Sequence, residues 1–307
     1  MARDFQSIYA AFDRYPSTKG AATHIEQSCR ALFSTTGLDP GALWVLDPGD
    51  DTISAQLTPP NGERFAVSSD TPHLLERAEH FAETIHTWIS AQARGSLQVG
   101  QFRDPWSGIP MIAADNIHHL VYEVNALPSI ELPCRYPKLN AAVLNKIRGM
   151  ESHCLARADA ILTPSAQTRR HLVEHRGIDE SRIKVLPNGA EIFPPCGRPP
   201  DTPAGDYLLY FGALQPWQGI DALLRAFSQL IDKPDLSLVI CSSHKEKHAR
   251  PYHRLARQLG IEEKILWRYQ LPRDELQGWL QHATATLAPL SDTQRNIEQG
   301  CCPLKIV

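Results

Sequence analysis

Short apolar runs alternate with helix-periodic stretches along the whole chain, and a cluster of prolines interrupts them once. That alternation constrains the fold more than any other feature. Runs at 7–12, 42–46, 97–102, 120–124, 160–163 and 183–186 read as strands. Between them, 20–33, 72–94, 140–158 and a stretch from Ser165 to about 176 read as helices. In 72–94 the apolar residues Leu74, Ala78, Phe81, Ile85 and Trp88 recur at three- and four-residue steps. In 140–158 Leu144, Ile147, Cys154 and Leu155 fall on one side. Ser165 is the expected N-cap of the helix that follows it. After the proline cluster the pattern restarts, with strands at 207–211, 236–241, 265–268 and 285–288. Helices are expected at 220–231, 251–259 and 272–282. Strands alternating with helices make parallel sheets covered on both faces, an α/β architecture.

The segment 194–203 holds five prolines in ten residues, which no helix or central strand tolerates. It reads as a domain linker. The expected organisation is a first doubly wound domain over 1–193, a linker over 194–206 and a second domain over 207–307. The two domains are expected to face a cleft, with ligands at the carboxyl ends of the strands.

Composition removes several classes. The net charge is −3, so a dedicated nucleic-acid binder is disfavoured. No apolar run reaches the roughly 18 residues of a membrane span, and 1–5 carry no signal-peptide pattern. Seven scattered cysteines without a Cys-x-x-Cys pair point to reduced thiols in a cytosol. His244 and His248 lack a third ligand, Asp47–Asp51 reads as a turn, and His118-His119 precede a strand with no partner. No metal site is expected.

Four places could carry chemistry. Between a strand and a helix, Gly212 to Gly219 (GALQPWQG) frees the backbone at both ends and aims unpaired N–H groups outward. Such a helix start suits a phosphate; a plain turn is the alternative. Lys19 and Gly20 stand just before the first helix, as an anion-facing lip or a solvated loop. Arg103 and Asp104 follow a strand, as a substrate contact or a self-satisfied pair capping the next helix. Glu123, an acid within an apolar strand, and Asn125 end the next one.

These segments together resemble a known family. YFGALQPWQGIDALLRAF, LPRDELQGWLQHATATLAPL and RNIEQGCCPLKIV are similar to the donor-binding domain of family 4 (group 1) glycosyltransferases. FDRYPSTKGAATHI, FRDPWSG, VYEVNALPSIELPCRYP and ADAILTPSAQTRRHL resemble their acceptor-side half, in the same order. The resemblance implies a GT-B-like fold and transfer of a sugar from a nucleoside-diphosphate sugar, with retention and without a bound metal or other cofactor. It implies a saccharide, lipid-linked or small-molecule acceptor in polysaccharide or glycoconjugate synthesis. The implied location is the cytoplasm, with peripheral contact at the inner membrane face as an option, for which Arg169, Arg170, His171, His175 and Arg176 form a modest basic cluster.

Residue roles follow from the same resemblance. Lys19, Gly20, Gly212, Gln218, Gly219 and Lys305 are implied to hold the donor. Asn125, Glu123 and Lys305 are implied to be catalytic, and Arg103 and Asp104 to lie on the acceptor side. Asn125 stands where many relatives carry an active-site His. Ala213 and Gln218 stand where many carry an Arg and a Lys, and the second acid of the family's two-glutamate motif would follow Val307. The resemblance therefore implies an incomplete second domain. It also raises a second expectation, a catalytically impaired member that only binds nucleotide or a partner.

Overall fold

The computed structural model describes residues 4–17, 20–49, 59–68, 70–190, 192–230, 232–233 and 235–303. The chain divides into two compact units. One contains 4–17, Ala21–Pro187 and the returning segment Glu298–Cys301; the other is built on Asn188–Ile297.

The first unit carries strands β1 (Ser7–Arg14), β2 (Gly41–Leu46), β3 (Gly62–Val67), β4 (Leu97–Phe102), β5 (Ile117–Glu123), β6 (Ala160–Thr163) and β7 (Ile183–Val185). Its helices are α1 (Gly20–Phe33), α2 (Leu74–Ser90), α3 (Pro105–Ala114), α4 (Pro128–Arg135), α5 (Ala141–Arg157) and α6 (Ala166–Arg176). The sheet has seven strands in the order β3-β2-β1-β4-β5-β6-β7, and every pairing is parallel. The strand order reverses at β1, which lies between β2 and β4. That is where a doubly wound sheet opens a crevice at its carboxyl end.

The period of two along β1 feeds two cores. Ile8 and Ala10 pack with Phe81, Ile85 and Ile89 of α2 and Cys154 and Leu155 of α5. Tyr9 and Ala11 pack with Ile25, Cys29 and Phe33 of α1 on the other face. Burial on both faces is why β1 reads as a near-continuous apolar run.

The second unit repeats the plan with β8 (Tyr207–Gly212), α7 (Ile220–Ser228), β9 (Ser237–Ser242), α8 (Arg250–Gln258), β10 (Ile265–Tyr269), α9 (Arg273–Gln281) and β11 (Ala285–Thr286). Its strands run in the order β10-β9-β8-β11, again all parallel. Leu223, Leu224 and Phe227 of α7 pack on Leu238 and Ile240, while Trp279 of α9 packs on Tyr207, Leu209 and Val239 from the other face.

Three elements were not expected from the sequence. β3 is short and carries Glu63 and Arg64, but Phe65 stacks on Trp44 at 4.9 Å and fixes it as an outer strand. α3 contains Pro110 and α4 contains Pro133, residues that argue against helix in isolation. Both helices begin with Pro at the first turn, where a missing N–H costs nothing. His118 and His119 lie within β5 rather than before it.

The Pro-rich segment is tied to α9. Gln281 Nε2 donates to Pro194 O at 2.9 Å, and Gln281 Oε1 accepts from Cys196 N at 2.9 Å. The segment Glu298–Cys301 packs with the first unit instead of the second. Gln299 is fully buried, and its Oε1 accepts the Leu127 N–H at 3.0 Å. A second buried polar knot joins α4, α5 and α6. Glu151 accepts the Ser129 N–H and hydroxyl at 2.6 Å each and pairs with Arg176.

Gly108 in α3 tests this packing. A Cβ there would meet Phe102 Cε2 at 2.5 Å and Cys154 Sγ at 2.9 Å. Alanine gains about 1 kcal/mol of helix propensity, and overpacking a rigid core costs about 1–3 kcal/mol. Gly108→Ala is expected to lower stability by a net of about 1 kcal/mol, read from the urea midpoint. A raised midpoint would show a looser α3–β4 contact than described.

Candidate functional site

The polar residues of the first unit converge at the carboxyl ends of β1, β4 and β5, beside the strand-order reversal. Glu123, the last residue of β5, is 7% exposed. Its Oε2 accepts from Tyr9 Oη at 2.9 Å, Ser28 Oγ at 3.0 Å and Gln101 Nε2 at 2.9 Å. Its Oε1 accepts from Asn125 Nδ2 at 2.5 Å. Arg103 Nε stands 3.3 Å from Oε1 as an ion-pair contact outside hydrogen-bond geometry. Burial opposes charge on Glu123, but Arg103 and the donors around it prevail and hold its carboxyl below the usual range.

Arg103 is itself nearly covered. Its Nη1 donates to Ala21 O at 3.1 Å and lies 3.5 Å from Asp13 Oδ2. Asp104 does not pair with Arg103. It caps α3, accepting from Ser107 N at 2.8 Å and Ser107 Oγ at 3.0 Å, and its Oδ2 accepts from Phe12 N at 2.7 Å. Burial pushes its pKa up to about 6, against the pull of the Phe12 and Ser107 N–H groups. The helix-capping alternative for Asp104 is the one this geometry supports.

His24 joins the cluster from α1. Ala21, His24 and Ser28 share one helix face by their spacing of three and four. Both flanks of that face are anchored, Ala21 O to Arg103 and Ser28 to Glu123. Burial, then Arg103, push the His24 pKa down, against Glu123 and Asp13, so the ring is neutral near pH 7. His24, Tyr9, Ser28 and Gln101 escaped the sequence reading. Gln101, a polar residue inside a buried strand, carried the same signal that singled out Glu123.

The second unit places its glycine-bounded turn at the carboxyl end of β8, the strand between β9 and β11. Gly212 has φ 123° and Gly219 has φ 71°, conformations that L side chains resist. Gly219 precedes α7, and a Cβ there would meet the Pro289 carbonyl oxygen at 2.7 Å. The turn is braced from the 289–296 segment. Ser291 N and Asn296 Nδ2 both donate to Trp217 O, at 3.0 and 2.9 Å, and Arg295 lies over the Trp217 ring at 4.8 Å. Tyr210 Oη donates to Ala213 O at 2.7 Å and reaches Gln218 Oε1 at 3.4 Å.

The other candidates separate. Gly20 opens α1 and is exposed, whereas Lys19 and Lys305 lie outside the described residues. The basic cluster on α6 is not one surface. His171 is 5% exposed, Arg176 is turned into Glu151, and Arg169 pairs with Glu180 at 3.1 Å. Among the described residues no group of His, Cys, Asp and Glu could hold a metal, and no helix is long and apolar enough to cross a membrane.

Residues 83–192 match the Glycosyltransferase Family 4 model, and 201–301 match Glycosyl transferases group 1. The chain belongs to the group 1 glycosyltransferases. It is 27% identical over 230 residues to a D-inositol 3-phosphate glycosyltransferase of Corynebacterium aurimucosum, covering 66% of this chain and 48% of that protein. A similar enzyme of Acidothermus cellulolyticus is 26% identical, with 66% of this chain and 46% of that protein covered. The chain thus spans about half the length of the curated relatives it matches. Among solved structures, sucrose-phosphate synthase from Thermosynechococcus elongatus superposes with a TM-score of 0.70 at 14% identity, over 93% of this chain and 76% of that one. Anabaena HepE in complex with UDP-glucose gives 0.61 at 13% identity, over 91% and 72%. These likenesses establish the GT-B-type fold of paired Rossmann-like sheets.

The buried Asp104 carboxylate sets a pH signature. An acid whose folded pKa is raised makes the folded state less stable as pH rises between its unfolded and folded values. Relative to Asp104→Asn, the wild-type chain is expected to lose on the order of 3 kcal/mol between pH 4 and pH 7, read from urea midpoints. A pH-independent difference would show that the cap fully compensates the burial.

Proposed function

We propose that this chain transfers a sugar from a nucleoside-diphosphate sugar to a hydroxyl acceptor, with retention of anomeric configuration, in polysaccharide or glycoconjugate synthesis. The observation that carries the reading is the convergence of Arg103, Glu123, Asn125 and His24 at the carboxyl ends of β1, β4 and β5. The glycine-bounded turn ahead of α7 is the matching feature of the second unit. Family membership supports the reaction type.

The reaction must stabilise a departing diphosphate while positive charge develops at the sugar carbon. The start of α7, with Gly219 allowing close approach, supplies oriented N–H groups for the phosphates. Gly20, Gln218 and the cations Lys19 and Lys305 are assigned to the same donor. Asn125 faces the acceptor, with Arg103 and Asp104 behind it as framework. The acceptor is a saccharide, lipid-linked or small hydroxyl compound, and the reaction is assigned to the cytoplasm, with peripheral contact at the inner membrane face as an option for a lipid-linked acceptor.

Calorimetric titration with UDP-, GDP- and ADP-glucose, followed by nucleotide-release assays over an acceptor panel, tests the reading. One nucleotide sugar is expected to bind and turn over. Asn125→Ala is expected to lower kcat/KM about tenfold to a hundredfold while donor affinity stays within about twofold. Binding without turnover would favour the nucleotide-binding, non-catalytic reading. No binding of any nucleotide sugar would remove the transferase assignment.

A further inference from the structure

Glu123 is walled off from any substrate by its own donors. Its Oε2 already accepts from Tyr9, Ser28 and Gln101, and its Oε1 from Asn125. What it does must pass through those partners, and three of them are buried or part of the α1 and strand framework. Asn125 is different: it is half-buried, just beyond the end of β5.

A carboxylate offers no proton. The Asn125 amide must therefore turn its NH2 toward Glu123 and its Oδ1 away. Among the described residues nothing donates to that Oδ1. The groups facing the pair are Arg103 from the end of β4, Tyr9 from β1, and His24 and Cys29 from α1, with Asp13 on the far side of Arg103. Arg103 is shared between Asp13 and Glu123, so it leaves little positive charge to spare.

We propose that Glu123 is a positioning residue that fixes the polarity of the Asn125 amide, so that Oδ1 receives a hydroxyl of an uncharged polyhydroxy acceptor. An ionised phosphate in that place would face a lone pair backed by carboxylates, whereas a hydroxyl supplies the proton Oδ1 lacks. The proposal rests on the transferase reading for the identity of the ligand, but the amide polarity is independent of it.

Two measurements on the whole chain separate the two. The first needs no ligand. In 15N-edited NMR spectra one side-chain amide proton of Asn125 is expected well downfield, as a proton held by an ionised carboxylate is. It should return to the ordinary range in Glu123→Gln. An unshifted proton in the wild type, or one unmoved by the substitution, overturns the proposal whatever the chain catalyses.

The second is kinetic, with methyl α-glucopyranoside and myo-inositol as uncharged acceptors and glucose 6-phosphate and inositol 1-phosphate as charged ones. Glu123→Gln is expected to raise the KM for an uncharged acceptor about tenfold, with donor KM within about twofold. The reciprocal pair E123Q/N125D exchanges donor and acceptor across the same hydrogen bond and keeps the charge beside Arg103. It is expected to return the acceptor KM to within about threefold of wild type. Equal losses for donor and acceptor, a double variant that melts like wild type without recovering, or preference for the phosphorylated acceptors would each overturn the assignment. Failure of the wild type to bind any nucleotide sugar strikes the transferase reading and leaves the NMR result standing.

Discussion

The Arg103–Glu123 contact holds the first unit's crevice in shape. Two opposite charges are buried at the ends of neighbouring strands, β4 and β5. Burying either alone would cost several kcal/mol. The structure meets that cost with Tyr9 from β1, Gln101 from β4, Ser28 from α1 and Asn125 from the turn after β5. One carboxylate thereby ties three adjacent strands and a helix at the place where the strand order reverses. A polar network bonded this densely around one carboxylate rigidifies its surroundings, even though Arg103 Nε meets Glu123 only as an ion pair.

The same contact organises the proposed site. Asp104, Arg103 and Glu123 are consumed in framework bonds, so they shape the site without reaching into it. Asn125 and His24 remain as the half-buried groups that the framework presents. In the second unit, conformation replaces charge. Gly212 and Gly219 take positive φ, and the 289–296 segment braces the turn between them through the Trp217 carbonyl. Ala213 and Gln218 leave that turn without side-chain cations, so in the proposed reaction the backbone N–H groups would carry more of the contact to phosphate.

The sheets were legible because burial on both faces writes strands as continuous apolar runs, and α2 and α5 because a one-sided helix repeats every three to four residues. β3, α3 and α4 were not. Their local sequence carries charges or prolines that argue the other way, and packing such as Phe65 on Trp44 overrides it. Glu123 was legible as an acid in an apolar strand. Tyr9 and Ser28 were not, since a tyrosine in a core strand and a serine on a helix are ordinary until a carboxylate is placed between them.

The sequence by itself determined the alternation of strands and helices, the two-unit α/β plan, the family and the glycine-bounded turn. Each of these rests on local periodicity or on residues close together in the chain. Tertiary structure decided which charges meet. Arg103 pairs with Glu123 rather than its neighbour Asp104, Asp104 becomes a helix cap, and 298–301 returns to the first unit. Residues 20 to 114 positions apart in the chain share one carboxylate only because parallel strands set side by side bring their ends together. No local pattern in the sequence encodes that meeting.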